Sequence, residues 1–230
     1  MGNHKERYVS DKLQWEEIPL FGDVLSADIV EPGQNIRIVM NNRFQYAFLS
    51  LMFPDMGVQG SLASSIWLES EGERFPAGSP EFCLRVGSMI RHRGLMANIS
   101  IRENLLLPFL YCGDEEKLQS AKSRVDEVAE FLGLEGLDTQ AGERSGYTHA
   151  LVSLGHCVLQ EPDVIVAQEV HVGMSPDRLK KFAAKAREAL EKLGSGVLYL
   201  SGSEHEGSGL KFIRTHQIVD DSVSDVSGIW

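Results

Sequence analysis

Leu159-Gln-Glu-Pro-Asp-Val-Ile-Val-Ala-Gln-Glu169 leaves a helical pattern, turns at Pro162 and runs into an unbroken apolar stretch that ends at Ala167. A short apolar run of this kind, lacking the alternation of a half-solvated strand, is what a strand covered on both faces of a parallel sheet looks like. Upstream, apolar residues from Tyr147 to Leu159 recur at helical spacing. Downstream, Ser175 is placed to cap a long helix with Pro176 in its first turn and Gly194 after its last, and Gly196 to Leu200 is a second buried strand. Helix, strand, helix and strand in this order predict an α/β fold.

The earlier chain is more strand-like. Leu25 to Val30 and Asn35 to Met40 flank the turn Glu31-Pro32-Gly33 and predict a hairpin. Phe44, Ala47, Phe48, Leu51 and Met52 give Asn42 to Phe53 a helical spacing that stops at Pro54. Ser61 to Leu68 is expected as a strand, followed by loops over Glu69 to Glu73 and Pro76 to Pro80. Ser100-Ile-Arg-Glu103 is a capping box, so a helix starts at Ile101, with Pro108 set to bend or end it. Glu115 to Leu132 is a second helix closed by Gly133.

With 230 residues, 43% of them hydrophobic, the chain can build one large domain with a real core. A formal charge of -11 repels phosphate backbones and argues against a nucleic-acid partner. Cys83, Cys112 and Cys157 are odd in number and far apart, a pattern of a reducing compartment. His92, His149, His156 and His171 have no metal-ligand spacing, so no metal site is expected. The N-terminal residues carry no leader pattern and the apolar stretches are too short to span a bilayer, so a cytoplasmic protein is expected, reaching the inner face of a membrane only through a partner.

Glu143-Arg-Ser-Gly-Tyr147, the helix after it, Leu159 to Glu169, and Gly173-Met-Ser-Pro176 resemble in order and spacing the signature helix, Walker B strand and D-loop of an ABC-transporter ATPase. Val86 to Pro108 is similar to the Q-loop and the start of the helical subdomain, especially in versions serving lipid transport. The resemblance covers nearly the whole chain. It implies a P-loop NTPase-like core of mixed sheet over 1–90 and 150–230, with the Q-loop region and a small helical subdomain over about 91–149, all in one domain.

The departures from that family bear on activity. Lysine is absent between Lys12 and Lys117, and between Met40 and Pro54 there is room for a helix but none for a glycine-rich phosphate loop; Asn41 or Asn42 stands near the place of its lysine. The Walker B aspartate that holds Mg²⁺ through water is Gln168, a neutral amide. The Q-loop glutamine aligns with Arg91, the switch histidine with Gly202 and the D-loop aspartate with Ser175, while Ser145 and Gly146 remain of the signature. Glu169 keeps the position of the family's general base, but a base without a held phosphate has nothing to act on.

Each feature also has a plainer reading. Glu169 is either that general base or a carboxylate with a structural task. Ser145 is either a contact residue or an N-cap. Trp15 is either an adenine-stacking aromatic or a packed core residue. The resemblance implies a catalytically degenerate subunit with no bound cofactor, acting as a docking or regulatory partner of a membrane permease or of an intact ATPase, as a homo- or heterodimer. Docking is expected around Leu95, Met96 and Ile99, an apolar loop segment that alternatively anchors the helical subdomain to the core. The competing expectation is an enzyme that binds Mg-ATP at an atypical site and hydrolyses it with Glu169.

Overall fold

The computed structural model describes residues 10–21, 23–53, 65–91, 95–112, 114–142, 145–207 and 210–218. The elements of the first half are β1 (Lys12–Trp15), β2 (Ile18–Leu20), β3 (Asp23–Leu25), β4 (Asp28–Val30), β5 (Asn35–Val39), α1 (Asn42–Met52), β6 (Ile66–Ser70), β7 (Glu73–Pro76), α2 (Pro80–Arg85) and β8 (Val86–Ile90). Those of the second half are α3 (Ile101–Cys112), α4 (Glu115–Leu132), α5 (Gly146–Gln160), β9 (Val164–Gln168), α6 (Pro176–Leu193), β10 (Gly196–Ser201) and β11 (Arg214–Gln217).

The central sheet has the order β11-β5-β10-β9-β8, and every neighbouring pair in it is parallel. All five residues of β9 are buried. Val164 and Val166 join one apolar cluster with α1 and the N-terminal strands, while Ile165 and Ala167 join the other with α3, α4 and α5. That two-sided cover explains the unbroken apolar run in the sequence.

A second sheet, antiparallel, has the order β4-β1-β6-β7, and β2 with β3 forms a small hairpin. Here the sequence expectation is corrected. Asp28–Val30 and Asn35–Val39 do not pair with each other: β4 lies on β1, whereas β5 runs parallel between β10 and β11. The Glu31 turn does form, with the Gln34 amide donating to the Glu31 carbonyl at 3.0 Å, but it carries the chain from one sheet into the other. β5 has apolar side chains to bury at Ile36, Ile38 and Val39, and a place inside the parallel sheet covers all three.

Glu69 to Glu73 is also not a loop. β6 and β7 pair from Ser70–Glu73 outward through Glu71 and Gly72, both at positive φ (53° and 82°), a two-residue hairpin turn that twists with its strands. Of the predicted strand 61–68, residues 61–64 lie outside the described residues, and the strand itself is Ile66–Ser70. Trp15 is packed, 2% exposed, with its indole N–H donating to the Ser26 carbonyl at 2.8 Å.

Pro108 neither ends nor breaks α3, and the reason lies on another helix. Proline removes the amide that would pair with the carbonyl four residues earlier, that of Asn104. The His156 Nε2, on α5, donates to this same Asn104 oxygen at 2.8 Å. Burial holds the His156 pKa below its ordinary 6.5, so the ring is neutral in the folded chain. A folded-state pKa below the unfolded one means that the unfolded chain binds the extra proton as pH falls below 6.5. His156 therefore contributes stability above that pH and loses it on acidification. Denaturant melts from pH 7.5 to 5 are expected to show His156→Gln with a flatter pH dependence than the parent, by up to about 1.4 kcal/mol per pH unit.

Candidate functional site

In a parallel sheet the carboxyl ends of the strands form one edge where loops and helix N-termini converge. Met40 after β5, Arg91 after β8, Gln168 and Glu169 at the end of β9, and Gly202 after β10 all lie on that edge. Four of the residues singled out from the sequence, Arg91, Gln168, Glu169 and Gly202, are thus brought to one side of the molecule.

The connection from β5 to α1 consists of Met40 and Asn41 alone. Asn41 caps the helix itself: its Oδ1 accepts from the Phe44 amide at 3.0 Å, and its carbonyl accepts from the Gln45 amide at 3.0 Å. One turn in, Gln45 is fully buried and bridges helix and sheet. Its Nε2 donates to the Met40 carbonyl at 2.9 Å, and its Oε1 accepts from Gln168 Nε2 at 3.0 Å. The place expected to present an anionic oxygen holds a neutral amide pair. Glu169 is 8% exposed, has a positive φ of 47°, and its Oε2 lies 3.5 Å from the Arg91 guanidinium. The Gly202 amide donates to the Glu206 carboxylate at 3.2 Å. Nearby, Phe21 is 55% exposed at the tip of the β2–β3 hairpin, and the Arg43 guanidinium stacks 3.8 Å above its ring.

No family model matches the chain. A Nod factor export ATP-binding protein I of Burkholderia orbicola is 30% identical over 127 residues, which are 52% of this chain and 41% of that protein. The methionine import ATP-binding protein MetN 2 of Paraburkholderia xenovorans is 23% identical over 133 residues, 57% of this chain and 34% of that protein. The chain thus spans less than half the length of these curated relatives. Among solved structures, an ATP-binding cassette of an ABC transporter in its ADP conformation superposes with a TM-score of 0.61 at 18% identity, covering 84% of this chain and 81% of that one. For cbiO1 of Clostridium perfringens, part of the ABC transporter complex cbiONQ, the TM-score is 0.60 at 15% identity, with 83% and 78% covered. The fold is that of an ABC-transporter ATPase domain.

In this cassette fold Ser145 and Gly146 open α5. Ser145 has the extended backbone of an N-cap, but its side chain makes no capping bond; its hydroxyl lies 3.4 Å from that of Thr148. Gly146 lets the chain pack closely, since a Cβ there would stand 3.0 Å from the Val172 carbonyl oxygen, which would have to give by a few tenths of an ångström. Glu143 and Arg144 lie outside the described residues, as do residues 92–94. Leu95 and Ile99 are half-buried, with Leu95 against the helical cluster, and Met96 is 42% exposed. Buried Asn104 clamps this segment, its Oδ1 accepting from the Met96 amide and its Nδ2 donating to the Met96 carbonyl at 2.9 Å.

A larger feature lies at the other end of α3. A groove of about 930 Å³ runs between α2 and β8 on one side and the C-terminal half of α3 with α4 on the other, lined in part by Phe53, Leu84, Leu107, Pro108 and Tyr111. Leu110 and Tyr111, on the same turn of α3, are 51% and 79% exposed. Sequence reasoning missed Gln45, Phe21, Arg43 and this groove. A glutamine inside the apolar stripe of α1 was the one legible signal for Gln45; the others depend on which elements meet. Among the described residues no helix is long and apolar enough to cross a membrane, and no group of three or more His, Cys, Asp or Glu is placed to hold a metal ion.

Proposed function

We propose that the chain is a catalytically degenerate ABC ATP-binding-subunit-like protein that works by docking to a membrane permease or to a companion ATPase. The observation that carries this reading is the two-residue connection from β5 to α1, whose helix end is capped by Asn41. A triphosphate needs successive free backbone N–H groups and a cation at this point. Here the residues do not fit Mg-ATP. Gln168 spends its amide N–H on Gln45 and Gln45 its own on the Met40 carbonyl, Glu169 faces Arg91, and Arg43 is stacked on Phe21. The lipid-transport flavour of Val86 to Pro108 belongs to the same proposal.

Calorimetry is expected to give a dissociation constant for Mg-ATP weaker than about 1 mM. At 1 mM nucleotide the melting temperature should then rise by no more than about 2 °C. Micromolar binding would reverse the reading in favour of an atypical ATPase using Glu169.

Met96 is exposed on the loop before α3, and docking in the groove is supported by its 930 Å³ and by the exposure of Leu110 and Tyr111 at its helical side. An apolar helix of a permease laid into the groove would cover them. Met96→Asp and Tyr111→Asp are expected to abolish co-purification with a co-expressed permease at nearly unchanged melting temperature. Leu95→Asp, at a half-buried position in the helical cluster, should lower the melting temperature. Retained co-purification in both exposed-site variants would remove this groove from the proposal.

A further inference from the structure

We infer that the groove along α3 selects its partner helix by charge, pairing a lysine or arginine of that helix with Glu71. The inference rests on the docking reading and adds to it the chemistry of the occupant. The two walls of the groove differ. On the helical wall Leu107, Pro108 and Tyr111 give apolar cover from one face of α3, and the cations are already paired: Arg124 lies 2.7 Å from Glu161 and Lys117 3.6 Å from Asp114. The core wall carries the carboxylates of Asp11, Glu71 and Asp163 against the guanidinium of Arg85. Arg85 is engaged as well, since its Nη1 donates to Ser70 Oγ at 3.0 Å and lies 3.4 Å from Asp11, with the Phe75 ring beneath it. The core wall is therefore left with an excess of negative charge.

Glu71 is where that excess can be met. It is exposed, lines the groove and makes no ion pair among the described residues. It also stands in the two-residue turn between β6 and β7 with a φ of 53°, a place that favours Asn, Asp or Gly, so a glutamate there carries a conformational cost. The turn holds its backbone in place. A helix bringing only apolar side chains would crowd this carboxylate against the groove without a counterion, whereas a lysine or arginine would pair with it. Asp11 and Asp163 on the same wall add field of the same sign, which favours the cationic partner and opposes an acidic one.

The test titrates the full chain into two fluorescently labelled synthetic amphipathic helices with the same leucine stripe, one flanked by lysines and the other by glutamates, and reads anisotropy. The lysine helix is expected to bind with a dissociation constant on the order of 10–100 μM, and the glutamate helix at least about tenfold more weakly. A protein of formal charge -11 favours lysine in any case. Glu71→Gln and Glu127→Gln separate the groove from that net charge, because both remove a single carboxylate while Glu127 is exposed on α4 and does not line the groove. Binding of the lysine helix should weaken about threefold in Glu71→Gln, about tenfold in Glu71→Lys, and stay unchanged in Glu127→Gln. Equal losses in the two glutamine variants, or no preference for the lysine helix, overturn the charge selection and leave the groove as an apolar docking site. Failure of both helices to bind, or binding that Tyr111→Asp does not weaken, overturns the docking reading and this inference with it.

Discussion

Gln168→Asp, which would bring back a Walker B carboxylate, is expected to destabilise the protein by about 3–5 kcal/mol without producing ATPase activity. Gln168 is fully buried and donates its amide to Gln45 Oε1. An aspartate there presents a charge to an acceptor. If Gln45 turns its amide over to meet the charge, its Oε1 then faces the Met40 carbonyl, which now receives Gln45 Nε2. Either way one buried acceptor is left opposed to another, and among the described residues no cation pairs with either amide to repay the charge's desolvation. Gln168→Leu leaves the buried Gln45 Oε1 without its donor but also removes the Gln168 Oε1, which has no partner, so about 1–3 kcal/mol is expected. Guanidinium melts and a phosphate-release assay check both. An aspartate variant as stable as the parent would mean that the amide pair does not hold α1 to the sheet.

Ile165→Ala is expected to cost about 2–4 kcal/mol in the same melts, with an unchanged slope against denaturant. Ile165 is fully buried on β9, hydrogen-bonded through its backbone between β8 and β10. Its Cγ1 lies over Gly87 of β8, only 3.1 Å from where a Cβ there would sit, so the side chain fills the space that glycine leaves. Truncation opens a void that neither neighbour can close. Val24→Ala provides the contrast: Val24 is 57% exposed, and a change within about 0.5 kcal/mol is expected. A loss under about 1 kcal/mol at Ile165 would show that β9 is not central.

The sequence by itself determined the elements whose signals are local. Ser175 accepting from the Arg178 amide, Gly194 in the left-handed region, the Ser100–Glu103 box and the Gly133 cap each satisfy helix ends within a few residues, so they stand in the chain as they stand in the fold. The apolar run of β9 was legible for a similar reason: cover on both faces leaves no room for a polar residue. It also located Gln168, Glu169, Arg91 and Gly202 as positions of interest. What each does depended on partners far along the chain. Gln168 meets Gln45 across 123 residues, Glu169 meets Arg91 across 78, and His156 meets the Asn104 carbonyl that Pro108 leaves unpaired across 52. The same holds for the 25–30 and 35–40 segments, whose turn is local but whose sheets are not. Propensity and capping act over one helical turn, whereas hydrogen-bond partners, buried amides and cavities arise only where distant segments pack. Those contacts, and not the motif spacing, decide what the carboxyl edge of this sheet can hold.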